Sequence, residues 1–138
     1  MSGDVYRISE DVIAPDALYE AVLQDSDGAV TTFAGMVRDH SLGRSTQYLE
    51  YDAYQEMAEK KMAEIGDEIR EKWEVDRIGM LHRIGRLKIG EISVLIAISS
   101  AHRKASLEAC QFAIDRLKET VPIWKKENFD DGTTEWVH

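Results

Sequence analysis

Cysteine is nearly absent from this chain, which has Cys110 as its one cysteine among 138 residues. A lone cysteine excludes a disulfide framework, a CxxC redox pair and a zinc site made of several cysteines. Cys110 falls between Leu107 and Ile114 on an apolar helical stripe, where cysteine behaves as a small hydrophobic side chain rather than a nucleophile. This scarcity predicts a protein of a reducing compartment.

Long apolar runs are missing as well. No stretch approaches the roughly 20 residues that a membrane-spanning helix needs. The N-terminal segment MSGDVYRISE also lacks the apolar core of a signal peptide. We therefore expect a soluble protein of the cytoplasm.

Positive charge is outnumbered, because 17 Lys and Arg residues face 26 Asp and Glu residues and give a net charge of -9. Such a surface repels a phosphate backbone, which argues against general nucleic-acid binding. The basic residues are clustered, so a local cationic site for a small anionic substrate is expected. The clusters are Arg38 with Arg44, Arg103 with Lys104, and Arg116 with Lys118, Lys125 and Lys126.

Hydrophobic residues make up 43% of the chain, which is enough for one packed core, so residues 1–138 are predicted to form a single domain. Apolar periodicity predicts strands and helices in mixed order, which is the α+β class with an antiparallel sheet packed against helices. The predicted strands cover 5–8, 29–38, 46–54, 77–87 and 91–99. One predicted helix begins at Pro15, and the other two cover 55–73 and 102–120.

Finer features follow from the same patterns. The strands over 77–87 and 91–99 are joined at 88–90, which predicts an antiparallel hairpin, and the polar segment 39–45 predicts a mobile loop. One strand face is predicted to carry Ile92, Val94, Ile96 and Ile98, and the stripe of the last helix to carry Leu107, Cys110, Ile114, Leu117 and Val121.

The start of the last helix is a candidate anion site. Ser99 and Ser100 can cap this helix, and His102 with Arg103 occupies its first turn, where unpaired backbone N–H groups already favour anions. A solvated Arg103 and a structural His102 are the plainer alternative.

Lys118 and Lys125 are the candidate catalytic pair. Their spacing would put them on one helix face, but Pro122 removes a backbone donor and clashes with the preceding turn, so the chain is expected to bend between them. A bend brings the two ammonium groups closer to each other and, we expect, to Arg103, an arrangement that suits proton exchange at neutral pH. A charged helix face is the alternative.

Metal and cofactor motifs are not found. His40 and His82 have neither HExxH spacing nor a neighbouring ligand cluster, and the sequence contains no P-loop and no GxGxxG. We predict no metal site and no resident cofactor.

Several segments together carry a family resemblance: TTFAGMVRDHSLG, LEYDAY, HRIGRLKIGE, SSAHRKASLEACQFAIDRLKETVPIWKKE and the final EWV. In this order and spacing they closely resemble the catalytic, or large, subunits of molybdopterin synthase, the MoaE family. The resemblance covers most of the chain from Gly28 onward. It implies a hammerhead-like α/β arrangement and a sulfurtransferase that installs the two dithiolene sulfurs of molybdopterin on cyclic pyranopterin monophosphate.

The resemblance also implies partners. Sulfur arrives as a thiocarboxylate on the C-terminal Gly-Gly of a small ubiquitin-like subunit, whose tail enters a pocket of the large subunit. Two large subunits form a central homodimer with one small subunit at each end, which is a heterotetramer.

Site residues carry over position by position. Lys118 and Lys125 match the catalytic lysines, with Lys118 as the more intimate participant, while Arg38, His102 and Arg103 would hold the substrate phosphate and its pterin-linked oxygens. The matching pocket segments also contain Met36, Val37, Lys126 and Glu127.

Two functions from other classes stay open on the sequence. A non-catalytic module could bind a phosphorylated metabolite through Arg38, His102 and Arg103 without consuming it. A scaffold could dock a ubiquitin-like protein, although the lysine pair would then have no role.

Overall fold

Strands and helices of the chain follow the α+β order that the sequence predicts. The structure is a computed structural model that describes residues 3–137. The strands are β1 Val5–Ser9, β2 Ala29–Met36, β3 His40–Ser41, β4 Arg44–Ala53, β5 Ile78–Arg83, β6 Gly85–Lys88, β7 Ile92–Ser100, β8 Ile123–Phe129 and β9 Thr134–Val137, and the helices are α1 Pro15–Val22, α2 Gln55–Lys72 and α3 Arg103–Thr120. The α+β class is confirmed.

The strands form two sheets rather than one. The first sheet has the order β1-β5-β7-β2, and the second has the order β3-β4-β8-β9 with β6 also paired to β4. The predicted pairing of the 77–87 and 91–99 segments is confirmed, because β5 and β7 are antiparallel. The sheets are not wholly antiparallel, since β1 runs parallel to β5.

The predicted strand over 77–87 is divided, and this division links the two sheets. β5 ends at Arg83 in the first sheet, and β6 begins at Gly85 in the second. Gly85 has a φ of 89°, in the left-handed region that glycine adopts without a side-chain clash. The sharp turn at this glycine lets one apolar segment serve both sheets, which strand periodicity alone does not reveal.

Helices α2 and α3 pack on one face of the first sheet and enclose the main core. The buried face of α2 includes Met62, Ile65 and Ile69, and Cys110 of α3 is 3% exposed within the same cluster. Leu107 was assigned to the stripe of α3, but that prediction is wrong because the side chain is 54% exposed.

Helix α1 covers the opposite face of the first sheet with a smaller core. Leu18 and Val22 pack there with Leu95 and Ala97 of β7. Ile92 also packs on this side and not with Val94, Ile96 and Ile98, so the predicted four-residue face is wrong at its first position. The pairing register of β7 with β2 shifts next to this residue, and such an irregularity disrupts the alternation.

Two further differences concern segments read as irregular. The segment 39–45 is not only a loop, because His40 and Ser41 pair with Ser45 and Arg44 in a tight hairpin. The chain beyond Pro122 forms β8 and β9, for which no strand was predicted.

Helix α3 ends at Thr120, just before Pro122, which confirms the predicted break. None of the helices in residues 3–137 is long and apolar enough to cross a membrane.

Candidate active site

A cavity of about 440 Å³ lies where the two sheets meet the C-terminal end of α3. The first sheet contributes the ends of β2, β5 and β7, the second contributes β4, β8 and β9, and α3 contributes its last turns. The residues that line the cavity include Phe33, Gly35, Met36, Arg38, Tyr51, His82, Ser93, Val94, Leu117, Lys118, Trp124, Lys125 and Val137. The cavity therefore exists only when both sheets and α3 are assembled.

Three cations from three different elements line this cavity. Arg38 follows the end of β2, Lys118 lies in the last turn of α3, and Lys125 lies in β8. The turn at Pro122 sends the chain from α3 back into β8, so the predicted approach of the two lysines to one site is what the structure has. Neither Arg38 nor Lys118 has an ion-pair partner among residues 3–137, which leaves both charges available to an anionic ligand.

The backbone beside Arg38 is held firmly. Val37 is 2% exposed, its N–H donates to the carbonyl of Glu91 at 3.0 Å, and its carbonyl accepts from the N–H of Gly90 at 2.8 Å. The Val37 side chain packs with Leu49, away from the cavity. Its role is thus to anchor the segment that carries Arg38, while Met36 lines the cavity directly.

Glu127 is a buried carboxylate next to the lysines. Its side chain is 2% exposed, and its Oε2 lies 3.9 Å from the Nζ of Lys125. The hydroxyl of Thr46 donates to its Oε1 at 3.3 Å. Glu127 therefore provides the counter-charge that holds Lys125, whereas Lys126 alternates to the other side of β8 and stands 5.9 Å over the ring of Trp136.

His82 lines the cavity, although no role was predicted for it. Its Nδ1 lies 2.8 Å from the carbonyl oxygen of Arg83, and its ring meets the ring of Tyr51 edge-on at 4.9 Å. Burial, reinforced by the charge of Lys118, lowers the pKa of His82 to about 4. The imidazole is therefore neutral at pH 7. The segment HRIG, which begins with His82, was noted in the sequence only as part of the resemblance to the MoaE family.

Tyr51 is a partly buried titratable group of the wall for which no role was predicted. Burial raises the pKa of its phenol, and the negative charge of Glu127 raises it further. The hydroxyl thus keeps its proton at neutral pH. Strand pairing places Tyr51 directly opposite Lys125, so β4 and β8 present a phenol and an ammonium group side by side.

The backbone forms part of the wall at Gly35. A side-chain carbon at this position would come within 2.6 Å of Cγ1 of Val94, and the carbonyl of Gly35 accepts a hydrogen bond from the hydroxyl of Ser93 at 3.2 Å. The absence of a side chain at Gly35 therefore leaves room for the side chain of Val94.

His102 and Arg103 are not brought to this cavity within the chain. They lie at the first turn of α3, and Arg103 is separated from Lys118 by 15 residues, or roughly 22 Å along the helix axis. The expectation that Arg103 lies near both lysines is therefore wrong for a single copy. Capping by the serines is also wrong, because Ser100 donates to the carbonyl of His102 and Ser99 accepts from the N–H of Arg77.

No group of three or more His, Cys, Asp or Glu side chains in residues 3–137 could hold a metal ion. The chemistry of the cavity is instead cationic, with a neutral imidazole and a phenol beside the charges. The fold and the cavity define a small α+β protein with a site for an anionic ligand, equipped to stabilise developing negative charge and to move protons.

Comparison with known proteins assigns this architecture. Residues 8–120 match the family described as MoaE protein. The molybdopterin synthase catalytic subunit of Halalkalibacterium halodurans is 47% identical over 99% of this chain and 87% of its own length. That of Staphylococcus carnosus is 49% identical over 96% of this chain and 87% of its own length. The chain belongs to the MoaE family.

Solved structures agree with this assignment. The crystal structure of molybdopterin synthase from Staphylococcus aureus superposes with a TM-score of 0.92 at 46% identity, covering 100% of this chain and 98% of that one. A Burkholderia ambifaria MoaE protein gives a TM-score of 0.83 at 31% identity over 97% of this chain and 88% of that one.

Proposed function

We propose that this chain is the catalytic subunit of a molybdopterin synthase acting in the cytoplasm. It transfers sulfur from the thiocarboxylated C-terminus of a small ubiquitin-like subunit to cyclic pyranopterin monophosphate, and two transfers build the dithiolene of molybdopterin. The observation that carries the proposal is the cavity in which Arg38, Lys118 and Lys125 converge from three elements in a chain of the MoaE family.

The cations have complementary roles in this reaction. Both the thiocarboxylate and the cyclic phosphate are anions, so a cavity lined by three cations binds them and stabilises the charge that develops as sulfur attacks carbon. Lys118 has no counter-ion among residues 3–137 and is assigned the proton transfers. Lys125, held by Glu127, is the fixed electrostatic partner.

His102 and Arg103 belong to the same site only if a second copy supplies them. β2 is an edge strand of the first sheet, and Phe33 and Met36 on it are 37% and 50% exposed. Its start pairs with Ser100, just before His102, and its end reaches the cavity, roughly 23 Å away. Antiparallel pairing of β2 with its own copy would set Arg103 of one chain beside the cavity of the other. A homodimer within a heterotetramer fits this geometry.

The activity is tested by incubating the protein with the cyclic pyranopterin and a thiocarboxylated small subunit, then detecting the dithiolene product by mass spectrometry. Lys118→Ala is expected to lower turnover by at least about 100-fold, because it removes a proton-transfer group. Arg38→Ala is expected mainly to weaken precursor binding. Lys60→Ala, on the exposed side of α2, is the matched control and keeps full activity. Equal, small effects of all three would contradict these roles.

The shared site is tested by mixing two inactive variants, Lys118→Ala and Arg103→Ala. If each cavity takes Arg103 from the second copy, half of the randomly exchanged dimers have one intact site, and about a quarter of wild-type activity returns. If every group acts within one chain, no activity returns. Light scattering that gives a monomer across micromolar concentrations would contradict the homodimer itself.

A further inference from the structure

His82 presents a neutral ring nitrogen as a hydrogen-bond acceptor beside the cations of the cavity wall. A carbonyl oxygen only accepts, so the contact of Nδ1 with the carbonyl of Arg83 at 2.8 Å fixes the proton of the neutral ring on Nδ1. Nε2 then carries a lone pair. Nε2 has no protein partner among residues 3–137 and is not among their buried unpaired side-chain atoms, so it is accessible. The ring lies against Tyr51, which lines this cavity, so Nε2 is accessible from the cavity side.

The ring is also held in place from two sides. Tyr51 contacts it edge-on with an angle of 71° between the ring planes, and His82 pairs across the sheet with Val94, which lines the same cavity. The residue is only 6% exposed. A slim group is thus needed to reach Nε2, and a rigid acceptor costs little to order when that group arrives.

The charged surroundings determine what Nε2 can receive. The other titratable groups facing this part of the cavity are the cations Arg38, Lys118 and Lys125 and the protonated phenol of Tyr51, with Glu127 behind Lys125. Burial and the charge of Lys118 keep the imidazole unprotonated. Cations cannot accept the N–H of an amide, so Nε2 is suited to that donor.

A neutral acceptor next to a cation matches the end of a peptide chain. The last residue of any protein has an amide N–H within roughly one residue length of its terminal carboxylate. Only glycine presents both groups with no side chain to exclude it from a narrow wall. We propose that Nε2 of His82 accepts a hydrogen bond from a backbone amide of the glycine tail of the partner, while the terminal thiocarboxylate lies at Lys118. This inference rests on the function proposed above.

The test uses a short peptide ending in Gly-Gly, with its ordinary carboxylate standing in for the thiocarboxylate, and two matched peptides in which either glycine is N-methylated. N-methylation removes one N–H and leaves the charge intact. One of the two methylated peptides is expected to bind the wild-type protein about five- to ten-fold more weakly, the effect of one hydrogen bond. Nitrogen NMR of His82 is expected to show a bare Nε2 in the free protein and a shift of that resonance on peptide binding.

Two variants complete the design. His82→Phe keeps a ring against Tyr51 but has no acceptor, so binding of the parent peptide weakens and the methylation penalty disappears. His82→Gln, which can place an oxygen near the former Nε2, restores part of the penalty. Equal penalties in wild type and His82→Phe, or an Nε2 that does not respond to bound peptide, would overturn the inference while leaving tail docking intact.

The remaining outcomes are also decisive. If no peptide binds the wild-type protein at millimolar concentration, docking of the tail in this cavity is overturned together with the role of His82. If the peptides bind without involving His82 but cyclic pyranopterin monophosphate shifts the Nε2 resonance, the acceptor serves the N–H groups of the pterin instead, and the assignment to the glycine tail is wrong.

Discussion

Acid should destabilise this protein through His82 in a measurable way. Burial, with the charge of Lys118, lowers the pKa of this histidine to about 4 in the folded state from 6.5 in its ordinary state. Between those two values the unfolded chain binds a proton that the folded chain rejects. Stability contributed by the neutral ring is therefore present above pH 6.5 and is lost as the pH falls toward 4.

The magnitude follows from the same two values. A difference between 6.5 and about 4 corresponds to roughly 3 kcal/mol once the pH lies below both, and to about 2 kcal/mol at pH 5. His82 is only 6% exposed, so solvent screening removes little of this effect. A loss of this size is a large fraction of the total stability of a small domain.

Urea unfolding at about pH 7.5 and pH 5 measures the effect, with His82→Gln as the reference that cannot titrate. Carboxylates elsewhere titrate in both proteins and cancel in the comparison. Wild type is expected to lose about 2 kcal/mol more than the variant between the two pH values. Equal losses in the two proteins would refute the reasoning, because they would mean that His82 titrates normally in the folded state.

Other perturbations test the packing and the site. Gly66→Ala is expected to cost about 1–3 kcal/mol in urea unfolding, since its new carbon would overlap the hydroxyl of Tyr6, and Tyr6→Phe is expected to recover part of that loss. Cys110, whose pKa is raised by burial to about 11, is expected to react with a thiol reagent only after unfolding, and rapid reaction of the native protein would contradict its place in the core. Lys125→Ala is expected to lower the free energy of unfolding by about 3 kcal/mol, because it leaves the buried Glu127 without its counter-charge. The double variant Lys125→Ala with Glu127→Gln is expected to regain most of that stability but no activity. A double variant as unstable as the single one would contradict this pairing.

Features of the fold that depend on local patterns could be predicted from the sequence. Helix α2 was predicted from Gln55 onward because its apolar residues recur at helical spacing, and the end of α3 was predicted because Pro122 cannot continue a helix. The pairing of β5 with β7 followed from their short connection. Each of these depends on residues close together in the chain.

Features that depend on distant contacts could not be predicted. The apolar run through Gly85 looks like one strand, and only the glycine conformation shows that it divides between two sheets. Leu107 fits the helical stripe of α3 but is exposed, because periodicity specifies a face and not what covers it. β8 is a strand because β4 and β9 pair with it, although Lys125 to Asn128 carry little local preference for that state.

The same distinction explains the candidate site. Lys118 and Lys125 were identified together because Pro122 between them is a local feature, and the structure brings both to one cavity. His82 was assigned no role because an isolated histidine in a strand has no motif. Its neutrality depends on burial against Tyr51 and on a lysine 36 positions away in the chain. A perturbed titratable group is a property of assembled tertiary structure.

The cavity and the stability of the fold are therefore linked. Arg38, Lys118 and Lys125 repel one another, and each comes from a different element, so assembling both sheets with α3 concentrates positive charge in a protein whose net charge is -9. Glu127 offsets part of this repulsion from within the second sheet, and solvent in the open cavity screens the rest. An anion that enters the cavity removes a repulsion already present in the folded protein. The free enzyme is thus already arranged to bind the anionic thiocarboxylate or phosphate. This preorganisation is what the stabilisation of developing negative charge requires.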